Sequence, residues 1–325
     1  MGDRPASLLV RRPAGEAPAR LVRLPETPGS PADAQPEDYR QAFERAYETL
    51  GRAARKLQAT RSAAPRLYRE LLGRPAEQRR LLIRNGRRFA NWGLAELLLG
   101  EAQRCWAEDP ASAEEAARLA CEILARPAAE RELRPFQQDL GARAESLVAH
   151  AHLLRGELSD AAEALAGARA HLRQGSGDPL EEAHLLEVEA RLERARRCPQ
   201  AAVLALRQAV VAYRRAGERV AAARALLLAA SVVRELGETQ GAIRLLHRAR
   251  TLVPDGQEPR VLLSVLRALV PLLGETGRTR EAAAALTEAR KLALKLGGPA
   301  RRVRLPEEGA RVLAFSWLTG DPVSS

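Results

Sequence analysis

The chain has 325 residues, of which 46% are hydrophobic, 29% charged and only 3% aromatic, with a formal net charge of +11. That length and apolar share support a folded core, as one long array or two ordinary domains. The 63 alanines and the scarcity of aromatic residues exclude a sandwich or barrel, whose strands need β-branched and aromatic side chains, and favour closely approaching helices.

At the N-terminus, Arg11 and Arg12 follow directly on Leu8, Leu9 and Val10, so no signal-peptide core forms. No stretch reaches the ~18 uninterrupted apolar residues of a membrane span. Cys105, Cys121 and Cys198 are odd in number and form no Cys-x-x-Cys pair, which speaks for a reducing compartment. The expectation is a cytoplasmic protein without membrane contact.

Residues 1–37 carry prolines at 5, 13, 18, 25, 28, 31 and 36 and few large apolar groups, which predicts a disordered leader. Residues 38–92 form a basic helical segment with 14 basic and 5 acidic groups, a net +9. Tyr39, Phe43, Ala46, Tyr47 and Leu50 recur at helical spacing and predict an amphipathic helix. Breaks are expected at Ser62-Ala63-Ala64-Pro65 and Gly73-Arg74-Pro75, with short helices around 67–72 and 78–83. Arg79, Arg80, Arg84, Arg87 and Arg88 cluster beside Phe89 and Trp92, and Arg80, Arg84 and Arg87 share one helical face. They read either as a solvated face or as an exposed patch for an acidic protein or for nucleic acid.

Residues 93–296 read as a helical repeat array. Its first helix carries Trp92, Leu94, Leu97, Leu98 and Leu99, and Trp106 falls fourteen residues after Trp92, four turns along the same face. Farther on a pattern repeats. Gly237, Ala242, Leu246, Ala249 and Pro254 are matched by Gly277, Ala282, Leu286, Ala289 and Leu294. Upstream, Gly156 precedes Ala161, Leu165 and Ala168, and Arg197 stands in the glycine place before Ala202, Leu206 and Ala209. The four anchors are 41, 40 and 40 residues apart. Ala116, Ala120 and Ile123 form a fainter copy. Such a period accommodates two helices of four to five turns with two short turns. The glycine closes the first helix in a left-handed conformation, and the small residue five positions later lets the backbones approach.

These residues, with Leu226 and Ala230 in the preceding helix, resemble the tetratricopeptide repeat (TPR) in a longer-helix form. The resemblance implies an all-α superhelical solenoid of antiparallel helix pairs. The stretch from Arg87 through Trp92-Gly93-Leu94, the Asp109-Pro110 break and Gly175-Ser176-Gly177-Asp178-Pro179 are similar to bacterial repeat proteins of regulatory or signalling type. Some relatives of that type carry a helix-turn-helix domain ahead of the array, and no good copy of one is visible here.

The Gly175–Pro179 loop lacks the Gly-Lys-Ser/Thr ending of a phosphate cradle, and Asp178 fits a helix N-cap with Pro179 in the first turn. His150 and His152 point to different faces of one helix and cannot share a metal. No catalytic triad, metal motif or cofactor fingerprint is visible. A concave surface lined by the first helix of each pair would present Glu145, His152, Glu189, Arg194, Arg224 and Arg234 to a protein or peptide partner. The reading is a non-catalytic adaptor, with a nucleic-acid-associated regulator using residues 38–92 as the alternative. Residues 297–325 read as an irregular tail: either it folds back so that Phe315 and Trp317 cover the last helix, or the end stays open and mediates self-association.

Overall fold

The computed structural model of the chain describes residues 36–296 apart from 106–108, 127–132, 255 and 257. The leader up to residue 35, Trp106, and the tail with Phe315 and Trp317 lie outside the described residues. Every described regular element is helical, and no described helix is long and apolar enough to cross a membrane.

Among the described residues twelve α-helices follow in order: α1 (Pro36–Leu72), α2 (Ala76–Asn85), α3 (Trp92–Cys105), α4 (Pro110–Leu124), α5 (Arg134–Arg155), α6 (Leu158–Gln174), α7 (Pro179–Ala195), α8 (Pro199–Arg215), α9 (Arg219–Glu235), α10 (Thr239–Leu252), α11 (Pro259–Glu275) and α12 (Thr279–Lys295). From α3 onward each odd-numbered helix packs closely on the even one that follows it. Seventeen-residue helices separated by three-residue turns reproduce the 40-residue period, for instance across α7, α8 and α9.

The turns explain that regularity. Gly156, Gly237 and Gly277 close α5, α9 and α11 with φ of 77°, 79° and 71°. In each case the next residue's N–H bonds to the carbonyl five positions back: Glu157 to His152 at 2.9 Å, Glu238 to Val233 at 3.2 Å, Arg278 to Leu273 at 2.9 Å. This satisfies carbonyls that a helix end would leave bare. Arg197 adopts the same left-handed turn with φ 64°, and Cys198 N–H reaches the Glu193 carbonyl at 2.9 Å. The arginine therefore occupies the glycine place and holds a conformation that a Cβ disfavours.

Counted from each second helix's N-cap, positions four, eight and eleven are buried in α6 (Ala161, Leu165, Ala168), α8 (Ala202, Leu206, Ala209), α10 (Ala242, Leu246, Ala249) and α12 (Ala282, Leu286, Ala289). In α4, where Asp109 caps the helix by accepting from Ser112 N–H at 3.1 Å, the same positions are Ala113, Ala117 and Ala120. The fainter copy thus starts three residues earlier than Ala116. Asp178 caps α7 as its sequence implies, accepting from Leu180 N–H at 2.9 Å.

One expected break is absent. α1 runs through Pro65 without interruption. The ring costs the Arg61 carbonyl its helical donor, but Ala64, Leu67 and Leu71 are buried on both sides of the proline and hold the helix to the solenoid. Gly93 makes this contact possible: a Cβ there would lie 2.6 Å from the Arg61 Cα and the Thr60 carbonyl oxygen. Residues 38–92 and the array share one core, because a single buried cluster joins α1, α2, α3, α4 and α5. A larger cluster joins α7 through α12.

First helices of successive pairs touch closely at α1–α3, α3–α5, α5–α7 and α9–α11, whereas second helices do so only at α2–α4. The layer of first helices is therefore the inner, concave one.

Candidate functional site

A cavity of about 480 Å³ opens on the inner layer across α7, α9 and α11, where α7 and α9 stand apart. α9 supplies its floor and two of its charges. Arg224, Leu227, Leu228, Ser231 and Arg234 follow one another at helical spacing on one face, while Ala222, Leu226, Ala229 and Val233 bury the opposite face. α11 adds Arg267, Ala268 and Pro271. Pro271 lies one turn after Arg267, so the groove face of α11 also carries a carbonyl without its helical donor. α7 contributes Glu187 and Arg191.

The electrostatics separate two kinds of arginine. Glu187 is largely buried; it accepts from the Tyr213 hydroxyl at 2.7 Å and from Arg191 at 2.6 Å. Burial raises its carboxyl, but the Arg191 charge and these hydrogen bonds outweigh that and hold it below the ordinary range. Burial, then the Glu187 charge, pushes the Tyr213 phenol up. His150 on α5 is lowered to about 4 by burial and by Arg191, so it is neutral at pH 7. Arg191 is thus spent inside the wall. Arg224, Arg234 and Arg267 are exposed and make no ion pair among the described residues. Three like charges converge on an apolar floor of Leu227, Leu228 and Pro271.

Of the six residues expected on the concave surface, only Arg224 and Arg234 meet in this cavity. Glu189 is buried and turns toward α6, where Arg169 holds it at 2.5 Å. Arg194 pairs with Glu235 at the ends of α7 and α9, 3.2 Å from Nε to carboxylate. Glu145 faces Cys121 across α4 and α5, in a second cavity of about 750 Å³ between α2, α4 and α5. Burial raises its carboxyl, and burial with the Glu145 charge raises the Cys121 thiol far above the ordinary range. His152 staples the α5–α6 turn: its Nδ1 lies 2.6 Å from Glu157 and 3.9 Å from Asp160. Those three stand close enough together to ligate a metal, but Arg155 and Arg118 flank the two ring nitrogens at 3.1 and 3.3 Å. Arg155, then His152, lower the Glu157 carboxyl to about 2. Arg191, Arg267 and the apolar floor were not singled out in the sequence. The signal that could have found them is a row of positions on α7, α9 and α11 facing the same way, and that facing is set by tertiary packing.

In the basic cluster at the front Arg80, Arg84, Arg87 and Arg88 are exposed and Arg79 is half-buried, yet most of the charge is answered within the chain. Arg79 pairs with Glu115 at 2.8 Å, and Arg80 and Arg84 share Glu122 at 2.5 and 2.8 Å. Arg88 pairs with Glu70 and lies 5.0 Å from the Phe89 ring centroid. Arg87 is exposed at the rim of a cavity of about 930 Å³ between α1, α3, α4 and α5. The acidic partner of this patch is largely α4, with Glu70 of α1.

No protein family and no curated protein matches the chain. Among solved structures it is similar to BtubC (BKLC) from P. vanneervenii, at 19% identity and a TM-score of 0.54, over 75% of this chain and 93% of that one. The likeness supports the helical architecture.

Proposed function

We propose that the chain is a non-catalytic, TPR-like adaptor of the bacterial cytoplasm that binds an acidic segment of another protein in the groove formed by α7, α9 and α11. The observation that carries this reading is the convergence of Arg224, Arg234 and Arg267, unpaired among the described residues, around Leu227, Leu228 and Pro271. Arg80 on α2, Arg143 on α5 and Arg191 on α7 are, by contrast, each paired with a carboxylate. Such a groove fits a peptide whose carboxylates flank one or two apolar side chains: guanidiniums give orientation and the floor gives affinity. The nucleic-acid alternative relies on residues 38–92, where four of the five clustered arginines are already engaged by carboxylates.

Calorimetric titration with short synthetic peptides tests the proposal. Peptides with acidic residues flanking Leu should bind, and their Lys-substituted counterparts should not. Arg224→Glu with Arg267→Glu should weaken binding at least about tenfold, a change of about 1.4 kcal/mol, with unchanged melting. Equal binding of acidic and basic peptides, or no effect of the double variant, would refute it. Labelled duplex DNA that bound more tightly, with affinity falling steeply as salt rises, would favour the alternative.

A further inference from the structure

α1 has 37 residues, about 55 Å of helix, whereas α3, against which it packs, has 14. Its buried residues, Ala64, Leu67 and Leu71, all lie in its last third. From residue 40 to residue 63 no described side chain of α1 is buried, and Phe43 and Tyr47 are 68% and 80% exposed. The front of α1 therefore projects beyond the solenoid with two aromatic rings in water.

The apolar positions there are not scattered. Positions 43, 47, 50, 54 and 57 hold Phe, Tyr, Leu, Ala and Leu, and their spacing alternates four and three, the seam of a two-helix coiled coil. Continued by the same rule, the seam reaches Ala64 and Leu71, which are buried. The face that docks the end of α1 on the solenoid thus runs on along its front, to the exposed rings of Tyr47 and Phe43.

We propose that a second copy of the chain covers this face, the front halves of two α1 helices pairing antiparallel to give a two-fold homodimer. Charge identifies the occupant. Residues 37–48 hold four acidic and two basic groups, and residues 52–58 hold three basic groups and no acidic one. An antiparallel pair lays the acidic half of each helix along the basic half of the other, twice by symmetry, while a parallel pair stacks like on like. Size points the same way: antiparallel pairing places the bulky Phe43 and Tyr47 opposite the end that carries Ala54. A seam of about two heptads is short, so the association is weak and reversible. The dimer presents two concave surfaces on one particle, which raises avidity for any partner carrying two copies of its binding segment. The dimer does not depend on what the groove binds.

Sedimentation equilibrium of the full chain across a concentration series tests this. The mass should rise with concentration from 35.4 kDa toward twice that value. Phe43→Glu with Tyr47→Glu should stay monomeric while its helical circular dichroism and melting remain those of the parent. Orientation is read by charge exchange. Glu44→Lys with Glu48→Lys, and separately Arg52→Glu with Lys56→Glu, should each abolish the dimer, and mixing the two variants should restore it. A parent that stays monomeric throughout overturns the proposal. So does a Phe43/Tyr47 variant that still dimerises, which would place the contact elsewhere, for example at the C-terminal end. Charge variants that dimerise as the parent does would overturn the antiparallel arrangement.

Discussion

Arg197 shows what a single residue costs in a repeated turn. Four first helices end in the same left-handed turn, and glycine fills it at 156, 237 and 277 while an arginine fills it at 197. A Cβ in that conformation costs roughly 1–2 kcal/mol, part of which glycine returns through its larger entropy loss on folding. Arg197→Gly should therefore stabilise the protein by about 0.5–1 kcal/mol, seen as a melting temperature higher by about 2 °C. No increase would mean that the arginine side chain contributes a compensating contact. His150 gives a second residue-scale prediction. Its folded pKa is depressed to about 4, by burial first and by Arg191 second, against an unfolded value near 6.5. At any pH between these values the imidazole gains a proton on unfolding, so its contribution is present above pH 6.5 and is lost as the pH falls toward 4. The full loss is at most about 3 kcal/mol. Between pH 6.5 and 5, before the carboxylates of Glu181 and Glu187 titrate, His150→Gln should flatten the dependence of stability on pH. Urea unfolding at a series of pH values measures it, and parallel profiles for variant and parent would refute the assignment.

At the scale of elements, the same packing that fixes the helices also decides where sequence reading succeeds. The α5–α12 pairs were legible because three of the four turns that close a first helix write a glycine, and each second helix writes its small-large-small row, at 161, 165 and 168 and again at 282, 286 and 289. Pro65 was misleading. A proline removes one hydrogen bond, but Ala64, Leu67 and Leu71 bury enough surface to keep α1 continuous, and this burial depends on α3, thirty residues away in sequence. Gly93 was silent for the same reason: within its own helix it looks like a weak helix former, and only the crossing of α1 over α3 shows that its missing Cβ is the contact. Gly93→Ala should force the two helices apart at Arg61 and strain the Arg61–Glu96 ion pair, which stands at 2.7 Å. The expected destabilisation is about 1–3 kcal/mol, with faster hydrogen exchange in α1 and α3. An unchanged melting curve would show that the crossing relaxes without cost. The candidate site was half legible by the same logic. Arg224 and Arg234 are polar residues of a first helix, but so are Glu189 and Arg194, and nothing in the spacing alone distinguishes the groove face of α7 from the face turned to α6.

At the scale of the whole molecule, the solenoid is held by neighbour contacts, and these are uneven. A front core joins α1 to α5 and a rear core joins α7 to α12, while the apolar link between them is a cluster of seven buried residues on α5, α6 and α7. Polar bridges supplement that link. Arg143 on α5 bonds Glu181 on α7, with Nε at 3.0 Å; Arg169 on α6 holds Glu189; and Asp139 accepts from Ser176 N–H at 3.0 Å. Glu181 is only 4% exposed, and Arg143 and His184 hold it ionised against the penalty of burial. Removing its charge leaves Arg143, a guanidinium with little solvent access, facing a neutral amide. Breaking a buried pair from one side costs about 3–5 kcal/mol when both ions are enclosed, and the side-chain exposure of 24% at Arg143 places this case near the lower end. In a repeat stack such a loss falls on the interface that contains it rather than on the whole chain. Glu181→Gln should therefore open the seam: amides of α5 and α6, together with the smaller front core, should exchange faster, while those of α8 to α11 keep the protection of the parent. Residue-resolved hydrogen exchange under native conditions separates this from the alternative. If every helix lost protection by the same factor, the two cores would unfold as one cooperative unit, and the division between them would have no energetic meaning.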